Sequence, residues 1–561
     1  MSYDVVIRNG VVVDGSGLGP YRADVGIVGD RIARIGRISA TGAVDIDAEG
    51  HAVTPGFIDV HTHFDAQVFW DRPGTNSCWH GVTTVVMGNC GFTLAPASAD
   101  ERMLVVRNLE RAEDISPTAL AAGIEWSWTT FPEFLDTVDR LPKGINYASM
   151  LGHSALRTHV MGERAFEEEA TEDDLHAMMT ELRDGLDAGA AGFSTSRTVH
   201  HQTSDDRPVA SRLAAWSEVD RLVRVMGEVG VGRFQFVEDP PEDRALAAAR
   251  RDELFALSAD TGVPFMMAAM RGQRTIDTLE LAAGVGARVV GVTHPRGIGA
   301  MSSFRTQLPF DRLPVWKEVR ALPLDRQLQK LRDPDVVSRL VRAAHDGPYD
   351  EAFGAEARPP EFDRLYVLDA PVPPNPTVAE MAEARGIDPV ELMIALAVDT
   401  ELSQFFVQSF APFDDAGTAR LLRHRHVVMG FSDSGAHVSQ MSDASIYTHL
   451  LAHWVRDRGE FTFDEAIRMM SLAPARAWGF HDRGMVREGL IADLNVIDPA
   501  SVSPAMPTVV HDLPGGEKRI EQKALGIAAT LVGGQVTIRD GEHTGALPGQ
   551  LIRSRAAASL T

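Results

Sequence analysis

Pro55-Gly-Phe-Ile-Asp-Val-His61-Thr-His63-Phe-Asp65 decides the reading of this chain. Phe57, Ile58 and Val60 form a short apolar run with a β-branched bias, the pattern of a strand buried on both faces. Pro55 and Gly56 punctuate its start. Side chains alternate along a strand, so His61 and His63 project from one face at the end of the run. Neutral imidazoles at that spacing can share a divalent cation, while the plainer reading is two solvated histidines at a strand end. The choice depends on what the rest of the chain brings to the same place.

Outward from this stretch, apolar strand candidates alternate with helical patterns. The strands are read at 57–63, Val82–Cys90, Ile145–His153, Ala190–Ser196, Gly232–Val237, Pro264–Met270, Arg288–His294 and His426–Asp433. Helices are read at Asp173–Ala188, Trp216–Val229 and Arg251–Ala259, among others. Such repeated βα units predict an α/β fold, a TIM-type (β/α)8 barrel over residues 55–480, with its chemistry at the C-terminal strand ends. His61, His63, Cys90, His153, Ser196, His294 and Asp433 all fall there. Residues 296–425 form a long insertion between the seventh and eighth strands, with helical pieces and the Pro-rich turn Pro371-Val-Pro-Pro-Asn-Pro376. An insertion of that size either covers the pocket and helps set substrate choice, or serves structure and oligomer contact.

Both chain ends read differently. Residues 3–54, and later Gly489–Ile497 and Ala529–Arg539, are short strand patterns joined by Gly turns. Neither end has enough strands for a stable sheet, so residues 1–54 and 481–545 are expected to build one small β domain together.

With 561 residues, 44% hydrophobic and 24% charged, the chain has the composition of an ordinary globular protein with a large core. A net charge of -24 argues against a nucleic-acid partner, since a polyanion would be repelled. It does not argue against a small anionic substrate. Two cysteines, Cys78 and Cys90, imply no disulfide framework, and no basic leader or long apolar span is read. The expectation is a cytoplasmic protein with a small-molecule substrate and no membrane partner; a homo-oligomer stays open.

Cys90 closes Val85-Val-Met-Gly-Asn-Cys90-Gly-Phe, where Asn89 and Gly91 argue for a turn at the barrel rim. A thiolate facing two imidazoles is a strong zinc ligand, whereas most free cysteines are small buried hydrophobes. Asp433, in Val427-Val-Met-Gly-Phe-Ser-Asp433-Ser-Gly-Ala-His437, is either a helix N-cap or a catalytic group. Beside the two histidines it becomes the partner that takes a proton from an activated water and delivers it to a leaving nitrogen. His437 is a candidate for substrate or oxyanion binding.

Taken in order, Pro55–His63, Gly88-Asn-Cys-Gly91, Leu151-Gly-His-Ser-Ala-Leu-Arg-Thr-His-Val-Met-Gly162, Gly192-Phe-Ser-Thr195 and Phe431–His437 resemble the motif series of the amidohydrolase superfamily, and within it the N-acyl-D-amino-acid deacylases. The resemblance implies a metal-dependent hydrolase of linear amides, acting on carbon–nitrogen bonds other than peptide bonds, with a barrel beside a split β-sandwich. It implies one or two zinc ions, His61, His63, Cys90 and Asp433 as metal ligands, and Asp433 as general base and acid. The family also carries histidines on the fifth and sixth strands. Here those stretches read Arg233-Phe-Gln-Phe-Val-Glu238 and Phe265-Met-Met-Ala-Ala-Met-Arg271, so Gln235, Glu238 or His294 must substitute, or the metal shifts toward His61 and His63. His153, Arg197, Glu238, His294, Arg296 and His437 are the substrate-binding candidates; Arg157 and Arg271 are further cations. The competing readings are a hydrolase of a cyclic amide, lactone or other small molecule, and a metal-poor binding paralogue.

Overall fold

The computed structural model describes residues 2–270, 272–349, 358–440 and 443–555, so Arg271 lies outside the described residues. Val82–Met87 is buried along its whole length, as its unbroken apolar run demands of a parallel strand covered on both faces. It pairs in parallel with Phe57–Asp59 on one side and Asn146–Ser149 on the other. A second parallel sheet runs through Leu151–Gly152, Gly192–Ser196, Arg233–Val237, Phe265–Ala268, Val289–Thr293 and Val427–Met429 in that order. Met150 donates its N–H to Met87 O at 3.0 Å, which ties the two sheets where the third strand breaks.

These strands alternate with helices. Glu172–Asp187 starts at a reciprocal cap between Thr171 and Asp174, and Trp216–Val229 stops at Gly230. Arg244–Thr261 is longer than its sequence pattern, because Asp243 caps it seven residues ahead of the expected start. Side chains from six of these nine parallel strands meet in a common apolar cluster: Ile58, Val86, Ala148, Met266, Val292 and Val428. Trp478 and Phe480 join that cluster from the Leu472–Trp478 helix and the turn after it.

The 296–425 segment is more than helices and turns. Gly299–Ser303, Phe405–Ser409 and Leu365–Val367 form an antiparallel sheet, and Trp316, Leu340, Met393 and Phe406 belong to a separate apolar cluster. It packs as a unit of its own. The chain ends meet as well. Ala52–Pro55 pairs with Leu494–Ile497, and that sheet continues through Ile527–Val532 and Gln535–Arg539 on one side and Val11–Val12 on the other. A four-stranded sheet from residues 3–47 shares its core: Ile7, Val25 and Ile27 pack with Val53, Val496 and Leu531. No described helix is long and apolar enough to cross a membrane.

Candidate active site

After Val82–Met87 the chain turns at Gly88, with φ +83; a Cβ there would lie 2.4 Å from Met150 O, so only glycine fits. Asp65 holds this turn by accepting from Gly88 N at 3.0 Å. Cys90 follows with φ 56, and Asp433 and His437 also have positive φ, 52 and 48. Left-handed backbone is uncommon outside glycine and concentrates where side chains must be aimed rather than packed. Gln235 Oε1 accepts from Cys90 N at 2.7 Å and helps hold that conformation.

The result is a tight group. One ligand atom each from His61, His63 and Cys90 lies within 4.8 Å of the others, and all three residues are buried. Cys90 Sγ is 3.5 Å from His61 Nε2. Asp433 Oδ1 is 3.3 Å from His61 Nε2 and 3.4 Å from His63 Nε2. Burial, with His63 nearby, outweighs the Asp433 charge and pulls His61 down to about 3, so it is the neutral imidazole that binds metals. Burial acts the same way on His63, but Glu113, Asp433 and Cys90 around it hold its pKa well above the ordinary value. Burial pushes the Cys90 thiol up to about 11 against the pull of His63. Burial would raise Asp433 too, yet the hydrogen bond from His63 and the imidazoles of His61, His63 and His437 keep it ionised, well below the carboxylate range.

This donor set fits a zinc ion. Two imidazoles and a sulfur suit it chemically, and His63 Nδ1 is buried without a hydrogen bond. Cation binding would displace the protons that His63 and Cys90 hold. Both cysteines are free, and Cys78 is a buried thiol in the Ser77–His80 turn.

Other candidates lie elsewhere. His153 begins a helix instead of ending a strand; its Nδ1 meets Thr195 Oγ1 at 2.8 Å and its Nε2 meets Glu218 Oε1 at 2.7 Å. Arg157 donates to Glu218 Oε2 at 2.5 Å, so the three form a buried ionic group. Glu218→Gln is expected to lower unfolding free energy by about 3–5 kcal/mol in a urea titration, because it strands a buried guanidinium; a change below about 1 kcal/mol would refute that. Glu238 pairs with Arg197 at 3.3 Å and Arg250 at 3.2 Å, apart from the metal group. Arg296 pairs with Asp443. His294 is buried behind Phe431, ring centroids 6.1 Å apart, and Phe431 in turn stacks on His61 at 4.0 Å. His437 sits at the rim, its backbone N donating to Glu113 O at 2.6 Å.

Two residues at the site were not anticipated. Glu113 is buried with Oε1 3.5 Å from His63 Nδ1. His201 Nδ1 contacts Ser196 Oγ at 2.6 Å, and its ring lies 5.1 Å from Phe92. Both come from loops with no periodic signal. Gln235 stands where the family resemblance leads one to expect a strand-five histidine, and it braces Cys90 instead. Gln235→Ala is expected to weaken zinc binding about 10–100-fold, the usual effect of losing a group that orients a ligand. Competition with a zinc chelator measures it, and unchanged affinity would leave Gln235 a packing residue.

A model of the amidohydrolase family matches residues 45–538, and the chain belongs to that family. Within it, the chain is similar to the D-aminoacylase of Alcaligenes xylosoxydans xylosoxydans, 27% identical over 99% of this chain and 98% of that protein. It is equally similar to the N-acyl-D-aspartate deacylase of the same organism, 28% identical over 98% and 95%. Among solved structures, a D-aminoacylase with a binuclear metal centre superposes with a TM-score of 0.63 at 26% identity, covering 98% of this chain and 100% of that one. The fold is thus the mixed α/β arrangement of the amidohydrolases.

Proposed function

We propose that this protein hydrolyses the amide bond of an N-acyl amino acid, of D configuration or closely related, at a zinc site made by His61, His63 and Cys90 with Asp433 alongside. The observation that carries this is the convergence of those four side chains from three distant stretches of chain. The relatives that cleave N-acyl-D-amino acids support the substrate class. A divalent cation held there supplies Lewis acidity to the amide carbonyl and brings water toward ionisation near neutral pH. The chain's own work is done largely by Asp433. Its ionised Oδ1 accepts the proton of the attacking water and then donates it to the leaving nitrogen, which must depart as a neutral amine. Burial of the two histidines fixes their approach to Asp433.

The parallel strands are read as a closed eight-stranded barrel over residues 55–480, with the terminal sheets as a β-sandwich from residues 1–54 and 481–545. Supporting closure, a parallel bridge joins His61 and Phe431, and Val60 N donates to Gly430 O at 3.1 Å, linking the first and eighth strands. The 296–425 unit borders a largely apolar cavity of about 450 Å³ near Asp443, lined by Arg296, Met301, Tyr366, Leu368 and Trp454. The test is zinc content together with amine release from paired N-acetyl-D- and N-acetyl-L-amino acids. About one or two zinc ions per chain and D-selective release are expected. Zinc-free protein that releases nothing would overturn the reading in favour of a binding paralogue.

A further inference from the structure

At the other end of the parallel strands lies a concavity of about 740 Å³. It is framed by Gly230 and Gly262, which end the helices Trp216–Val229 and Arg244–Thr261, and by the turn after Trp478. Arg233 and Arg288 line it, and neither has a carboxylate partner among the described residues. Arg553 beside them pairs with Asp136 at 2.7 Å, and the one carboxylate of the lining, Asp482, shares Arg483 at 3.0 Å with the buried Asp493. In a chain of net charge -24, two uncompensated guanidiniums facing one hollow are out of keeping with their surroundings.

Part of each arginine has a structural task. Arg233 Nε donates to Ala477 O at 2.8 Å and Nη1 to Gly232 O at 3.2 Å; Arg288 Nη1 donates to Gly262 O at 2.9 Å. These bonds satisfy carbonyls at helix ends and turns. They leave Arg233 Nη2 without a hydrogen bond among the described residues. Gly479, φ +77, keeps that edge clear, since a Cβ there would lie 2.8 Å from Nη2. Burial, with Arg288 close by, pulls Arg233 down to about 10, the response of a cation short of a counter-charge. A second, independent observation is Trp478. It is 4% exposed and gives the hollow an aromatic wall beside the two arginines.

We propose that this concavity binds a small molecule bearing an oxyanion group, taken between Arg233 and Arg288, with its apolar part against Trp478, Phe480 and Ile552. Guanidinium pairs suit the planar or tetrahedral oxygens of carboxylate and phosphate. The site stands at the N-terminal strand ends, away from His61 and Cys90, so it is separate from amide hydrolysis.

Isothermal titration of the full chain at fixed ionic strength, with inorganic phosphate, adenosine monophosphate and glutarate in turn, tests it. Saturable binding of at least one probe is expected, and which probe binds separates phosphate from carboxylate recognition. Arg288→Gln, at an exposed position, should weaken that binding at least about tenfold, and Arg233→Gln by a similar factor. Thermal melts check that both variants fold. No saturable binding of any probe would overturn the proposal. So would binding that Arg288→Gln and Arg233→Gln leave unchanged, since that anion would then sit elsewhere, the metal centre included.

Discussion

Asp433→Asn is expected to fold, to keep its zinc wholly or largely, and to lose at least about a hundredfold in amide turnover. Asparagine has the same shape and still contacts His61 and His63, but its amide oxygen does not accept a proton at working pH. The wild-type carboxylate is held ionised by His63 and the neighbouring imidazoles, the form a general base requires. General acid–base assistance contributes about 10²–10⁴-fold, and here one group would serve both attack and departure. The measurement is kcat on the best N-acyl substrate, with zinc content and a melting curve taken on the same preparation. Near wild-type turnover would move the proton-transfer role to Glu113, the buried carboxylate 3.5 Å from His63.

The second large effect concerns the ligands. His61→Ala/His63→Ala should lose its zinc on dialysis and fall in activity by at least about 10³-fold. Lewis-acid assistance is worth several kcal/mol, and about 1.4 kcal/mol is tenfold in rate. Cys90 and Asp433 would be the only donors left of this group, short of the four ligands a zinc ion takes. Both histidines are within the core, so a circular dichroism spectrum must accompany the metal analysis. Folded protein with wild-type zinc content would show that the ion sits elsewhere.

The parts of this site that could be read from sequence share one property: each follows a buried strand. His61, His63, Cys90 and Asp433 end apolar runs, and alternation or a turn signal says which way they face. Glu113 and His201 arrive on loops, positioned by contacts such as the His437 N–H on Glu113 O, which no local pattern encodes. His153 shows the limit of the strand argument. The run from Ile145 breaks at Met150, so the histidine starts a helix and turns toward Glu218. Within 296–425, the antiparallel strands are separated by helices and pair only through tertiary contact, which is why the sequence showed the helices and hid the sheet.

The sheet that joins the two ends of the chain has a consequence for synthesis. Val53 lies against Val496, so the strand Ala52–Pro55 emerges from the ribosome long before its neighbour Leu494–Ile497 exists. At about 5–20 residues per second, that edge waits for roughly 20–90 s with its hydrogen-bonding groups unmatched. Every residue of the candidate site is translated before the wait ends. A nascent chain stalled after Asp433 therefore carries the whole candidate site beside a sheet with one edge of Ala52–Pro55 still open, a form exposed to aggregation and to capture by chaperones.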